Sequence, residues 1–129
     1  MKKVILTFCL LFSSLVYGAE STIPSGPKTQ VLQRIDVPNT TYQEGMGTVR
    51  YLPYQIKPSQ SQSGPELIYV ISGTWYYIAK DKPEKIVEQG QSFQIPPGEI
   101  HSSKAGPKGA TVVAAWVLDK TVPFVKPEK

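Results

Sequence analysis

The sequence is poor in the two residue types that most often build reactive centres, since its 129 residues include one cysteine and one histidine. The cysteine, Cys9, lies inside an N-terminal apolar run, between Phe8 and Leu10. Once that run is removed, the chain can form no disulfide and offers no thiol nucleophile, even in an oxidising compartment. Helical periodicity is lacking as well, and no apolar run reaches the roughly 20 residues that a membrane-spanning helix needs. The basic residues form no stripe interleaved with aromatics, and the surface reads as ordinary solvated charge, so no nucleic-acid partner is expected.

What is present begins with MKKVILTFCLLFSSLVYGAES. Lys2 and Lys3 form a charged start, Val4 to Val16 an apolar stretch, and Val16-Tyr17-Gly18 a small-residue cleavage signal, so residues 1–18 read as a signal peptide. A lipoprotein would need a cysteine just after the cleavage box, and none is there. The protein is therefore expected to be exported, to a periplasm or to the outside, with no membrane association after cleavage. Residues 19–29 are rich in Ser, Pro and Gly and read as a flexible N-terminal arm. Residues 30–129 are about one domain's worth of chain.

Within that domain, short β-type runs alternate with turn signals: VLQRIDV, GTVRYLPYQI, ELIYVIS, TWYYIA, KIVE, SFQIP, HSSK and ATVVAAWVL. Pro58-Ser59, Ser72-Gly73, Gln89-Gly90, Pro96-Pro97-Gly98 and Gly106-Pro107 are among the punctuators. About eight short strands in about 100 residues suit an all-β jelly-roll barrel of two packed antiparallel sheets. In ELIYVIS, side-chain alternation puts Glu66 on one face with Ile68 and Val70. Spacing alone leaves open whether that face is a barrel interior, where a carboxylate must find a partner or a proton, or a solvated strand mouth. Trp75 and Tyr77 share a strand face and read as core.

The stretch GQSFQIPPGEIH, Gly90 to His101, decides between those possibilities. Its Gly90, Pro96, Gly98 and His101 have the spacing of the second cupin motif, and Glu66 and Gly73 have the spacing that ends the first. The chain thus resembles the cupin superfamily, and the resemblance implies a single-domain cupin barrel with Glu66 and His101 facing one interior. It also implies a metal held by three histidines and a glutamate, with a His-x-His pair ahead of the Glu. Here the sequence departs from the pattern. It reads Gln60-Ser61-Gln62-Ser63-Gly64-Pro65-Glu66, so glutamines occupy both histidine positions, and no other histidine can substitute for them. Ala105 stands where the motif often has Asn, which puts the loop 104–109 in doubt.

A glutamine amide is a weak, hard ligand compared with imidazole, so no tightly bound cofactor is expected, and at most Mn or Zn, or a hard cation such as Ca, would be held weakly by Gln60, Gln62, Glu66 and His101. The same four side chains make a polar pocket able to hydrogen-bond a small-molecule ligand. Three functions remain open. The first expectation is a ligand-binding or sensing barrel. The alternative is a cupin-type enzyme, isomerase or oxygenase-like, with Glu66 and His101 as a catalytic acid and base or as residual metal ligands. The third is a partner-binding protein with a vestigial pocket. A direct or water-bridged Glu66–His101 hydrogen bond is expected, with the histidine pKa raised unless desolvation opposes it. The resemblance also allows a homodimer.

Overall fold

A computed structural model describes residues 26–128, so the segment read as a signal peptide and most of the expected arm lie outside the described residues. Eight strands make up the fold: β1 (Lys28–Asp36), β2 (Tyr42–Tyr51), β3 (Ile56–Gln62), β4 (Glu66–Ala79), β5 (Lys85–Glu88), β6 (Ser92–Ile95), β7 (His101–Asp119) and β8 (Val125–Pro127). Every pairing is antiparallel, in the order β1-β2-β7-β3-β8, with β4 joining β7, β5 and β6. This is the all-β jelly-roll barrel expected from the turn spacing. β1 begins at Lys28, two residues ahead of the expected start of the domain, and all nine of its residues are exposed.

Two expected breaks are bends instead. ELIYVIS and TWYYIA form one strand, β4, that runs through Ser72-Gly73. HSSK and ATVVAAWVL likewise form the single strand β7, through Gly106-Pro107. The expected loop at 104–109 is therefore strand. Ala105 is buried, and its N–H donates to the Gln55 carbonyl at 3.0 Å. The physical reason is mutual support: β4 and β7 pair from Glu66↔Trp116 to Ala79↔His101, with register shifts where the glycines let the ribbon bend. Gly90 and Gly98 do end their runs, at φ 83° and 76°, a region that β-carbons oppose.

The core lies between the inner faces of the long strands. Inner positions alternate along β4, from Glu66 through Ile68 to Val70, and resume at Trp75, Tyr77 and Ala79 after the bend. Opposite them on β7 are buried Trp116, Ala114, Val112, Ala105, Ser103 and His101. Trp75, Tyr77 and Phe93 pack as an aromatic cluster, with ring centroids 4.7–6.1 Å apart. The expectation that Trp75 and Tyr77 are core is met.

Candidate functional site

The site starts from β3, where Lys57 lies opposite Ser103 and Gln60 opposite His101 on β7. His101 and Ser103 are two residues apart and share the inner face, yet Lys57 and Gln60 are three apart. The extra residue is absorbed by a bulge at Pro58-Ser59, which keeps both Lys57 and Gln60 pointing inward. Proline suits that place because it cannot donate to the ladder. Gln62 follows at the next inner position, and the Pro96-Pro97-Gly98 turn docks on it, the Gly98 N–H donating to the Gln62 carbonyl at 2.7 Å.

All four residues singled out from the sequence are buried inside the barrel: Gln60 is 9% exposed, Gln62 3%, Glu66 7% and His101 4%. Glu66 is therefore an interior carboxylate rather than a solvated one. Its Oε2 accepts a hydrogen bond from Gln62 Nε2. Burial pushes its pKa up, with the charge of Lys57 and the Gln62 bond pulling the other way.

His101 is held by different neighbours. Its Nδ1 lies 2.9 Å from the Glu99 carbonyl, which can only accept, so Nδ1 carries the hydrogen and Nε2 is the free nitrogen. The ring stacks on Tyr77 with centroids 4.9 Å apart and planes at 29°. Burial pushes its pKa down, the Glu99 carbonyl opposes this, and the charge of Lys57 lowers it further. Glu66 and His101 are both buried but make no direct hydrogen bond to each other, which corrects the direct form of the expected pair. Gln62 has taken the carboxylate and the Glu99 backbone has taken the imidazole.

Sequence reasoning did not single out several further polar groups of the interior. Lys57 is half-buried on the inner face, where burial lowers its pKa and Glu66 raises it. The one signal for it was Pro58, which breaks the alternation of an otherwise strand-like run. Tyr77 donates through its hydroxyl to Glu99 Oε1, and Glu99 also pairs with Lys82 outside. The buried Tyr51 hydroxyl and Ser103 Oγ hydrogen-bond to each other at 2.9 Å.

Of the three buried side-chain polar atoms without partners among the described residues, Trp75 Nε1 lies in the aromatic core, and Gln60 Nε2 and Gln62 Oε1 belong to the site. A buried amide atom left unpaired costs about 1–3 kcal/mol, so each is a position at which a bound molecule would gain. A cavity of about 760 Å³ opens elsewhere, bordered by Ile35, Met46, Pro65 and Leu67, and none of the four polar residues lines it.

The donor set does not fit a tightly held transition metal. Among the described residues no three His, Cys, Asp or Glu side chains come together to hold one. One imidazole nitrogen, one carboxylate already engaged by Gln62 and one free amide oxygen make a poor ligand set. The ammonium of Lys57, whose charge is felt at both Glu66 and His101, opposes a second cation.

Residues 47–117 match the family described as Cupin domain. Among solved structures, a cupin-like protein from Thermotoga maritima aligns with TM-score 0.61 at 20% identity, over 78% of this chain and 74% of that one. A conserved protein with a double-stranded β-helix domain from Klebsiella pneumoniae aligns with TM-score 0.65 at 19% identity, over 83% and 89%. The DMSP lyase DddQ from Ruegeria pomeroyi aligns with TM-score 0.66 at 14% identity, over 95% of this chain and 62% of that one. At these identities the likeness is one of fold. No significant match was found among curated proteins.

Proposed function

The chain belongs to the cupin family, and from that premise we propose that it is an exported barrel that binds a small polar molecule in its interior, at the place where its relatives' fold can hold a metal. The observation that carries this reading is the pair of buried, unpartnered amide atoms, Gln60 Nε2 and Gln62 Oε1, beside Glu66 and His101. Natural interiors seldom leave such atoms unpaired, and a ligand with one acceptor and one donor satisfies both. A divalent cation would be held weakly at most.

The test is a thermal-shift screen of the mature protein against small sugars, hydroxy acids, amides and polyols. At least one class should raise the melting temperature of the parent by several degrees, and the Gln60→Leu/Gln62→Leu variant should lose that shift while remaining folded. If no class protects the parent and the leucine variant is the more stable, the amides serve no ligand and the chamber is vestigial.

A second reading has its own support. Burial raises the pKa of Glu66 and lowers that of His101, so Glu66 holds a proton more readily and the His101 imidazole is neutral more readily than in water, as a proton donor and a proton acceptor require. In that reading the bound molecule is a substrate, with Glu66 as proton donor and His101 Nε2 as proton acceptor.

A further inference from the structure

Lys57 has no assigned role in either reading, yet it is half-buried on β3 opposite the buried Ser103, on the same strand as Gln60 and Gln62. It shapes the electrostatics of Glu66 and of His101 alike. Lys82, Lys104 and Lys120 form ion pairs with Glu99, Glu84 and Asp36, whereas the Lys57 side chain has neither an ion-pair nor a hydrogen-bond partner among the described residues. A half-buried ammonium without an acceptor is costly unless something compensates it. Glu66 compensates it only from a distance, because that carboxylate is bound to Gln62 and is itself pushed toward its neutral form by burial.

The bulge at Pro58-Ser59 makes Lys57, Gln60 and Gln62 successive inward positions of one strand. Along that row the structure offers a cation, an unpaired N–H donor at Gln60 Nε2 and an unpaired acceptor at Gln62 Oε1. Neutral polyols would satisfy the two amides but leave the ammonium bare. A carboxylate accepts from both Lys57 and Gln60 Nε2, and a hydroxyl on the adjacent carbon can donate to Gln62 Oε1. We propose that Lys57, Gln60 and Gln62 form a binding site for a small hydroxy monocarboxylate, with Lys57 as its charge-recognising residue. The proposal rests on the reading of the interior as a ligand chamber and names the class of ligand.

The experiment is calorimetric titration of the mature protein with glycolate and lactate and with their isosteric neutral amides, glycolamide and lactamide. A charge-assisted contact separates acid from amide by roughly tenfold or more in affinity. The acids should bind at least about tenfold more tightly than the amides in the parent. Lys57→Met should abolish that difference while keeping the melting temperature of a folded barrel, and Lys57→Arg should retain a preference for acid. Equal binding of acid and amide, or an acid preference that survives Lys57→Met, overturns the assignment of Lys57 and leaves the chamber reading standing. If neither acids nor amides bind, and the broader thermal-shift screen is also silent, the chamber reading itself fails and this inference fails with it.

Discussion

The single imidazole of the chain is positioned by three neighbours of different kinds: a backbone carbonyl at Glu99, the face of Tyr77, and the charge of Lys57. Burial and Lys57 both disfavour its protonated form, so His101 should titrate below the ordinary value of about 6.5. Because the folded pKa lies under the unfolded one, this histidine's contribution to stability is full above about pH 6.5. It is lost as pH falls through the folded value, where the unfolded chain has already bound its proton. NMR titration reads the pKa directly, with no second histidine to confuse it. Lys57→Met should raise it, and Glu66→Gln should leave it nearly unchanged, since Glu66 is engaged with Gln62. A parent value above 6.5 would contradict this arrangement. At this scale the burial of Gln60, Gln62, Glu66 and His101 was legible in the sequence, because motif spacing reports which strand positions face inward. It could not show Lys57, because strict alternation puts residues 57 and 60 on opposite faces and only the bulge brings them together. Nor could it show how each polar group chooses its partner, which depends on the backbone of Glu99 arriving beside the ring.

At the scale of the elements, the two long strands β4 and β7 hold the barrel together by pairing along most of their length. The glycines between their halves read in the sequence as ends because glycine is the usual punctuation of a strand. In the structure they are corners: Gly73 sits at φ 76°, and a β-carbon there would come within 2.1 Å of the Gly109 carbonyl oxygen. A side chain must therefore fight both its own backbone conformation and the partner strand. Gly73→Ala should cost about 2 kcal/mol or more, combining strain at positive φ with a steric clash. Denaturant unfolding would measure it, and a loss under about 0.5 kcal/mol would mean that the corner can open without breaking the β4–β7 ribbon. Gly90 is the control. Its φ is also positive, at 83°, but nothing lies within 4 Å of its missing β-carbon, so Gly90→Ala should cost strain alone, about 1 kcal/mol. The same comparison explains what the sequence could tell: both glycines were recognised as special, but only the contacts across the ribbon distinguish a corner from a terminus.

For the molecule as a whole, the fold and the charge balance of its interior are separable properties, and the cupin barrel here carries two buried glutamines, Gln60 and Gln62, and a half-buried lysine, Lys57, on one strand. The fold was legible because turn spacing and the Gly90–His101 motif are properties of the backbone, which Gln60 and Gln62 do not disturb. The interior chemistry was only half legible, because a cation contributed by Lys57 leaves no mark in the motif. These two statements predict what happens when the histidines are put back. Gln60→His/Gln62→His places two imidazoles at inward positions of β3, one opposite His101 and one beside Glu66, and should create a Zn or Mn site that the parent lacks. Elemental analysis and calorimetry on protein prepared without a histidine tag should find well under one transition-metal ion per parent chain and about one per variant chain. Lys57 should limit the gain, since its ammonium repels a divalent ion across a poorly solvated chamber. Adding Lys57→Met to the double variant should therefore tighten metal binding by roughly tenfold or more. If the double variant binds no metal, Gln60 and Gln62 do not share a usable chamber with Glu66 and His101. If it binds metal with an affinity that Lys57→Met leaves unchanged, the lysine points out of the chamber, and its role as the interior cation is refuted while the barrel stays as described.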